Sequence, residues 1–291
     1  MNNTDIDKIT NCFKTICNKK HVRFTLCDNN NFSIGKNITA YFGDGFLLFT
    51  RSFDIVDCDV KEKSDKTYSV LMWLNKIIGA ENAAVYLDGN TLRFRLFVLR
   101  PDIAVTLNTA NSIVDYLVLK LKNYYLKFCT CILNGTGIVL SPIRKNSRRI
   151  CPEFGEDVSD IYAENLFGIL RSVGCYDIAI SRDCYLQARY VSENTPIIVN
   201  ADILRENGTV KIAFTYFFDK DTLRPANILQ ALNKYNTDVE YGLFTISYPQ
   251  CLIYEVGFFV SDNLLPRRDI YTLSENALNR FIECISLFSR C

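Results

Sequence analysis

The sequence has almost no excess charge. In 291 residues, 33 Lys and Arg stand against 32 Asp and Glu, a formal charge of +1. A general nucleic-acid binder carries a basic face and a high pI, so no nucleic-acid partner is expected. Long apolar runs are also missing. No stretch approaches the ~18 consecutive apolar residues that span a bilayer, and no polybasic cluster marks a membrane-surface anchor, so no membrane association is expected. The start, MNNTDIDKITNCFKTICNKK, shows no basic segment leading into an apolar core and a small-residue cleavage site. The expected location is cytoplasmic.

Catalytic signatures are as scarce. The one histidine, His21, has no nucleophile at a fixed spacing from it and reads as structural or surface-exposed at the start of a strand. No G-x-S-x-G, H-E-x-x-H or Walker A pattern occurs. Asn134-Gly135-Thr136-Gly137 lacks the third glycine and the βαβ context of a dinucleotide site and reads as a turn. Twelve cysteines are present, yet none forms C-x-x-C. In a reducing compartment they act as small buried hydrophobes. The closest pair, Cys129 and Cys131, has no second pair at zinc spacing. Cys151 follows Arg148 and Arg149, cations that lower a thiol pKa, but no base or oxyanion donor stands beside it. The chain is therefore expected to be no enzyme, with no catalytic, cofactor-binding or metal-binding residues and no disulfide.

What the chain does contain is an internal repeat. WLNKIIGAENAAVYLDGNTLRFRLFVLR begins at Trp73, and ALNKYNTDVEYGLFTISYPQCLIYEVGFFV begins at Ala231. Each runs from Leu-Asn-Lys through a polar patch into a strand, a turn and a longer apolar strand. The match extends upstream, where DGFLLFTRSF pairs with GTVKIAFTYF, NITAYFGD with PIIVNADIL, and HVRFTLC with YDIAIS. Ile9, Phe13 and Ile16 make a helical face in one half, as do Leu166, Leu170 and Val173 in the other. The middle helices present Val70, Leu71, Leu74, Ile77 and Ile78, and Ile228, Leu229, Leu232 and Tyr235, the second starting at Pro225. Asn75 and Asn233 fall where these helices are expected to end. NSIVDYLVLKLKNYYLKF and ENALNRFIECISLFSRC close the halves, the latter behind a capping box at Thr272-Leu273-Ser274-Glu275.

The pattern predicts an α+β fold: a tandem duplication of an antiparallel sheet packed with helices, reading helix, three strands, helix, two strands, helix in each half. Leu92, Phe94, Leu96 and Val98 are expected to face the core, with Arg93 and Arg95 turned away. Phe214, Tyr216 and Phe218 share a strand face that Phe217 does not. The stretch SPIRKNSRRICPEFGED carries Pro142 and Pro152, which divides the chain into a first domain at 1–147, a linker at 148–152 and a second domain at 153–291. Its Arg144, Lys145, Arg148 and Arg149 read as a solvated linker, with a phosphate or acidic partner as the alternative.

The order of Leu-Asn-basic, short gap, strand, turn, long apolar strand and helix resembles the YbjN-like bacterial sensory-transduction-regulator family. Its members look like type III secretion chaperones in fold. The family's Asn-x-x-Asn spacing is met at Asn233 and Asn236, and only by Asn75 in the first half. The resemblance implies a chaperone-like or regulatory protein that binds a partner or client peptide and has no catalytic residues to carry over. Two copies in one chain would imitate the dimers of secretion chaperones. The expectation is a non-catalytic protein-binding module, monomeric, acting as a pseudo-dimer. Arg95 and Glu255, opposite charges at matching positions, are its candidate interdomain contact. The alternative is an enzyme with an unrecognised interdomain active site.

Overall fold

A computed structural model of the chain describes residues 3–28, 30–55, 65–79, 83–134, 156–181, 185–204, 209–218, 225–247, 251–259 and 266–288. The chain divides into two compact units, Met1–Cys151 and Pro152–Cys291. The first runs α1 (Asn3–Lys19), β1 (Phe24–Asp28), β2 (Asn31–Ile34), β3 (Ile38–Phe42), β4 (Phe46–Asp54), α2 (Asp65–Ile78), β5 (Ala83–Asp88) and β6 (Thr91–Leu99). It closes with α3 (Pro101–Ala104), α4 (Leu107–Asp115), a π-helical turn (Tyr116–Lys120) and α5 (Leu121–Asn134). The second runs α6 (Glu156–Ser172), β7 (Tyr176–Ile180), β8 (Tyr185–Ser192), β9 (Thr195–Leu204), β10 (Thr209–Phe217), α7 (Pro225–Asp238), β11 (Leu243–Ser247), β12 (Cys251–Phe259) and α8 (Arg267–Phe288).

The predicted α+β duplication is present, with one strand added in each half. Those strands are β2 and β8. Both sheets are six-stranded and antiparallel, in the equivalent orders β1-β2-β3-β4-β6-β5 and β7-β8-β9-β10-β12-β11. The outermost strand breaks register in each, between Leu26 and Asp28 in β1 and between Tyr176 and Ala179 in β7.

The core lies between sheet and helices. In the first half Phe13 of α1 meets Phe32 and Phe49 at ring distances of 5.4 and 5.2 Å. In the second, Phe214 meets Phe281 of α8 at 6.1 Å, and Phe244 stacks on Tyr254 at 4.1 Å. Leu92, Phe94, Leu96 and Val98 are fully buried, as expected.

Three local expectations are corrected. The capping box does not cap: α8 begins at Arg267, and Pro266 is the residue whose carbonyl accepts from the Ile270 amide. Ser274 lies inside the helix, its hydroxyl donating one turn back to the Ile270 carbonyl at 2.7 Å. His21 does not begin a strand. It closes α1 in a left-handed conformation, φ 54°, as Gly174 closes α6 at φ 100°. In both places the next amide, of Val22 or Cys175, reaches back to Cys17 or Leu170, the Schellman closure that favours a left-handed residue.

The third concerns the asparagines. Asn75 does not end a helix; fully buried, it turns its carboxamide onto β5. It donates to the Val85 carbonyl and accepts from the Val85 amide, both at 2.8 Å. The residue that does this in the second half is Asn236, bonded to both backbone groups of Phe244 at 2.9 and 2.7 Å. Val85 pairs with Phe94 and Phe244 with Tyr254, so the two sites match in register. The Leu-Asn-Lys match therefore picks the wrong asparagine in α7, nearly one helical turn short of the one that acts like Asn75.

Candidate functional site

Arg95 and Glu255 occupy matching places. Arg95 pairs with Thr50 and Ala84, and Glu255 with Ala213 and Leu243. Their surroundings differ. Glu255 is half-buried and meets Lys211 Nζ at 3.2 Å. Arg95, placed by alternation on the face away from the core, is only 4 % exposed. That face is apolar as well: Ala84, Tyr86 and Phe97 are buried on it, and the guanidinium lies 5.3 Å from the Tyr86 ring centroid. A weakly hydrated, planar cation tolerates such a wall where a carboxylate or ammonium would not.

Most of the described cysteines are buried. Cys12, Cys17, Cys27, Cys129, Cys131, Cys175, Cys251 and Cys284 are free thiols. Burial pushes Cys17 and Cys175 up to about 11 and Cys284 higher still, so they stay protonated at neutral pH. Among the described residues no group of His, Cys, Asp and Glu is arranged to hold a metal. Cys58, Cys151, Cys184, Cys291, the Gly135–Gly137 turn and the linker's basic residues lie outside the described residues.

A polar cleft of about 580 Å³ opens in the second half, lined by Glu240, Tyr241, Asn276, Asn279, Arg280 and Glu283 among others. The turn at its floor is tightly specified. Gly242 has φ +77°, a Cβ on it would come within 2.7 Å of the Tyr254 ring, and the Tyr254 hydroxyl donates to the Tyr241 carbonyl at 2.8 Å. Burial above all raises the Tyr241 phenol, so the cleft holds a neutral hydroxyl beside carboxylates and one guanidinium.

A second constellation holds α5. Arg51 pairs with Phe94 in β6, and the residue paired with Tyr254 in β12 is Phe214, so a cation stands where the second half has a fully buried phenylalanine. Burial lowers Arg51 to about 10, which leaves it protonated at neutral pH. Its Nη1 donates to the carbonyl of Leu117, in the π-helical turn. Such turns offset the helical ladder and free a carbonyl; α8, facing Phe214, has none. The guanidinium also sits 4.4 Å from the Phe53 ring, which stacks on Tyr125 of α5 at 4.4 Å and 6°. Tyr125 then donates its hydroxyl to the Asp54 carbonyl.

The helix so anchored has two apolar stripes. One is core: Leu117, Leu121, Tyr124, Phe128 and Cys131 are buried at helical spacing. The other is Leu119, Leu126 and Leu133, seven residues apart and 59, 51 and 62 % exposed. Around it lie Lys122, Asn123, Lys127 and Thr130, all exposed. From Tyr116 to Asn134 the sequence holds no acidic residue. Asp115, just before, is bridged to Lys20 at 2.7 Å. α2, which packs beside α5, begins at Asp65 and adds exposed Lys76. Reading this segment only as a closing helix overlooked the stripe. Its signal was the leucine period of seven together with a lysine excess unmatched by acids. No family model matches the chain, and no curated protein matches it.

Proposed function

We propose that the chain is a non-catalytic protein-binding module, chaperone-like or regulatory in kind, and that the outer face of α5 is its binding surface. The second leucine stripe carries the reading. One stripe is accounted for by the core; the other gives three half-exposed leucines at the spacing that helix-binding surfaces use. At roughly 100 Å² of exposed area each, covering them removes about 300 Å² of apolar surface from water. That is worth on the order of 7 kcal/mol before the cost of ordering a partner. The Arg51 and Tyr125 contacts support the same reading, because a helix held to the sheet presents its stripe already ordered. The membership of both halves in the YbjN-like family belongs to this proposal. It rests on the order of elements and on Asn233 and Asn236.

The test is selection from a random-peptide display library on the immobilised full chain. Enriched peptides are expected to bind at micromolar concentration and to lose binding to Leu126→Glu. Absence of any enrichment over an unrelated protein would count against the module. The polar cleft around Tyr241 favours a second reading, a small-ligand site in the second half; selected peptides whose binding is lost in Tyr241→Phe but kept in Leu126→Glu would move the site there.

A further inference from the structure

The α5 stripe also states what kind of partner fits it. Resting on the protein-binding reading above, we infer that its occupant is an acidic amphipathic helix of another protein, laid along Leu119, Leu126 and Leu133 with its acidic flanks against Lys122 and Lys127. Length sets the first requirement. Leu119 and Leu133 stand fourteen positions apart, so an occupant that covers all three leucines needs about 20 Å, or roughly four turns.

Charge sets the second. The chain as a whole is balanced at +1, yet α5 carries exposed Lys122 and Lys127 and no acid. Lys120 lies back over the Tyr116 ring, 5.6 Å from its centroid, and Asp115 is taken by Lys20. No acid of α5 itself is there to pair with Lys122 or Lys127, and a helix with Glu or Asp on its flanks supplies such partners.

The same facts weigh against other occupants. A second copy laid α5 to α5 sets lysines against lysines, which repel. An anionic membrane calls for a broad apolar face with aromatic anchors at the interface. Here the leucines run in single file with Asn123 and Thr130 between them. The nearby aromatics are turned inward, Tyr124 at 5 % exposure and Tyr125 stacked on Phe53.

The experiment uses the full chain and two fluorescein-labelled peptides of about 21 residues. Both have leucine at the seam positions of each heptad; one carries Glu and the other Lys at the flanking positions. In fluorescence anisotropy the Glu peptide is expected to bind at least about tenfold tighter than its Lys twin, the gap closing as salt rises. Leu126→Glu should weaken the Glu peptide by a similar factor, and Lys122→Glu with Lys127→Glu should reverse the preference. All three positions are exposed, so the variants keep the fold, which far-UV circular dichroism checks. Equal binding of the two peptides, or Glu-peptide binding indifferent to Leu126→Glu, overturns the inference. Sedimentation showing a dimer that Leu126→Glu dissolves assigns the face to a second copy. Leu126-dependent flotation with phosphatidylcholine–phosphatidylserine vesicles assigns it to a membrane. Either result overturns the proposed occupant. If display-selected peptides bind wild type and Leu126→Glu alike, protein binding stands while its assignment to α5 falls, and this inference with it; if neither selected nor designed peptides bind, the protein-binding reading falls as well.

Discussion

Replacing Asn75 by alanine should weaken the first half more than any surface change of similar size. The carboxamide satisfies both the amide and the carbonyl of Val85, and Asn75 and Val85 are both fully buried. Alanine leaves two backbone groups unpaired where water has no ready access. At ~1–3 kcal/mol for each orphaned group the loss is ~2–6 kcal/mol, a large share of the ~5–15 kcal/mol that holds a typical domain folded. With a urea slope of about 2 kcal/mol/M, the midpoint should fall by about 1–3 M. Trp73, the only tryptophan, lies half-buried in the same helix and reports this transition by fluorescence. Asn75→Asp separates hydrogen bonding from packing. Ionised, it still accepts from the Val85 amide but donates nothing to the carbonyl and puts a charge in a dry site. Protonated, it regains a donor. The introduced carboxyl's folded pKa is thus raised above its unfolded value, and Asn75→Asp should gain stability as pH falls through that folded value. A midpoint shift below about 0.3 M for Asn75→Ala at unchanged slope, or identical behaviour of Asp and Ala variants at every pH, would refute the reasoning.

Other positions give further tests. His21→Gly should raise stability by about 0.5–1 kcal/mol in the same urea titration, because glycine adopts the left-handed closure without the Cβ penalty. Gly242→Ala should cost about 2–5 kcal/mol by thermal unfolding, combining a positive φ with a contact into the Tyr254 ring. Asp202 has its carboxyl raised above the ordinary 3.8 by burial, only partly offset by Lys211. Its ionised form therefore weighs against the fold above that raised pKa, a penalty lost as pH falls below the unfolded value. Asp202→Asn should melt higher than wild type at neutral pH, with the difference vanishing in acid; a constant difference across pH would contradict the assignment.

The helices and the core strands were legible because their periods are strong. Ile9, Phe13 and Ile16 repeat along α1, and Leu92, Phe94, Leu96 and Val98 alternate along β6, and all are buried. β2 was not legible, since four residues with two apolar ones, Phe32 and Ile34, between Asn and Gly look like a loop until both are seen fully buried. β8 alternates, but its buried residues are only Leu186 and Ala188, the second too small to mark a core face. Arg95 defeats alternation because β6 is covered on both sides, and nothing along one strand says how many faces are covered. Asn75 and Asn236 share a role set by distance to a strand edge, which a match of Leu-Asn-Lys in sequence does not measure. The α5 stripe was readable, but only by asking which leucines the core period leaves over.

The asparagines have a consequence beyond stability. β5 and β11 are terminal strands of their sheets, and the groups that Asn75 and Asn236 occupy are those a further strand would seek. At the opposite margins, β1 and β7 are interrupted by their register breaks, with Asp177 in a left-handed conformation. Two sheets of one design, tied into one polypeptide, meet at a local concentration that separate molecules seldom reach. Left open, such margins would zip together, within the chain or from chain to chain, into an extended sheet. Each copy of the duplicated fold brings its own stoppers against such pairing, a side chain that poses as the next strand at one end and a kink at the other.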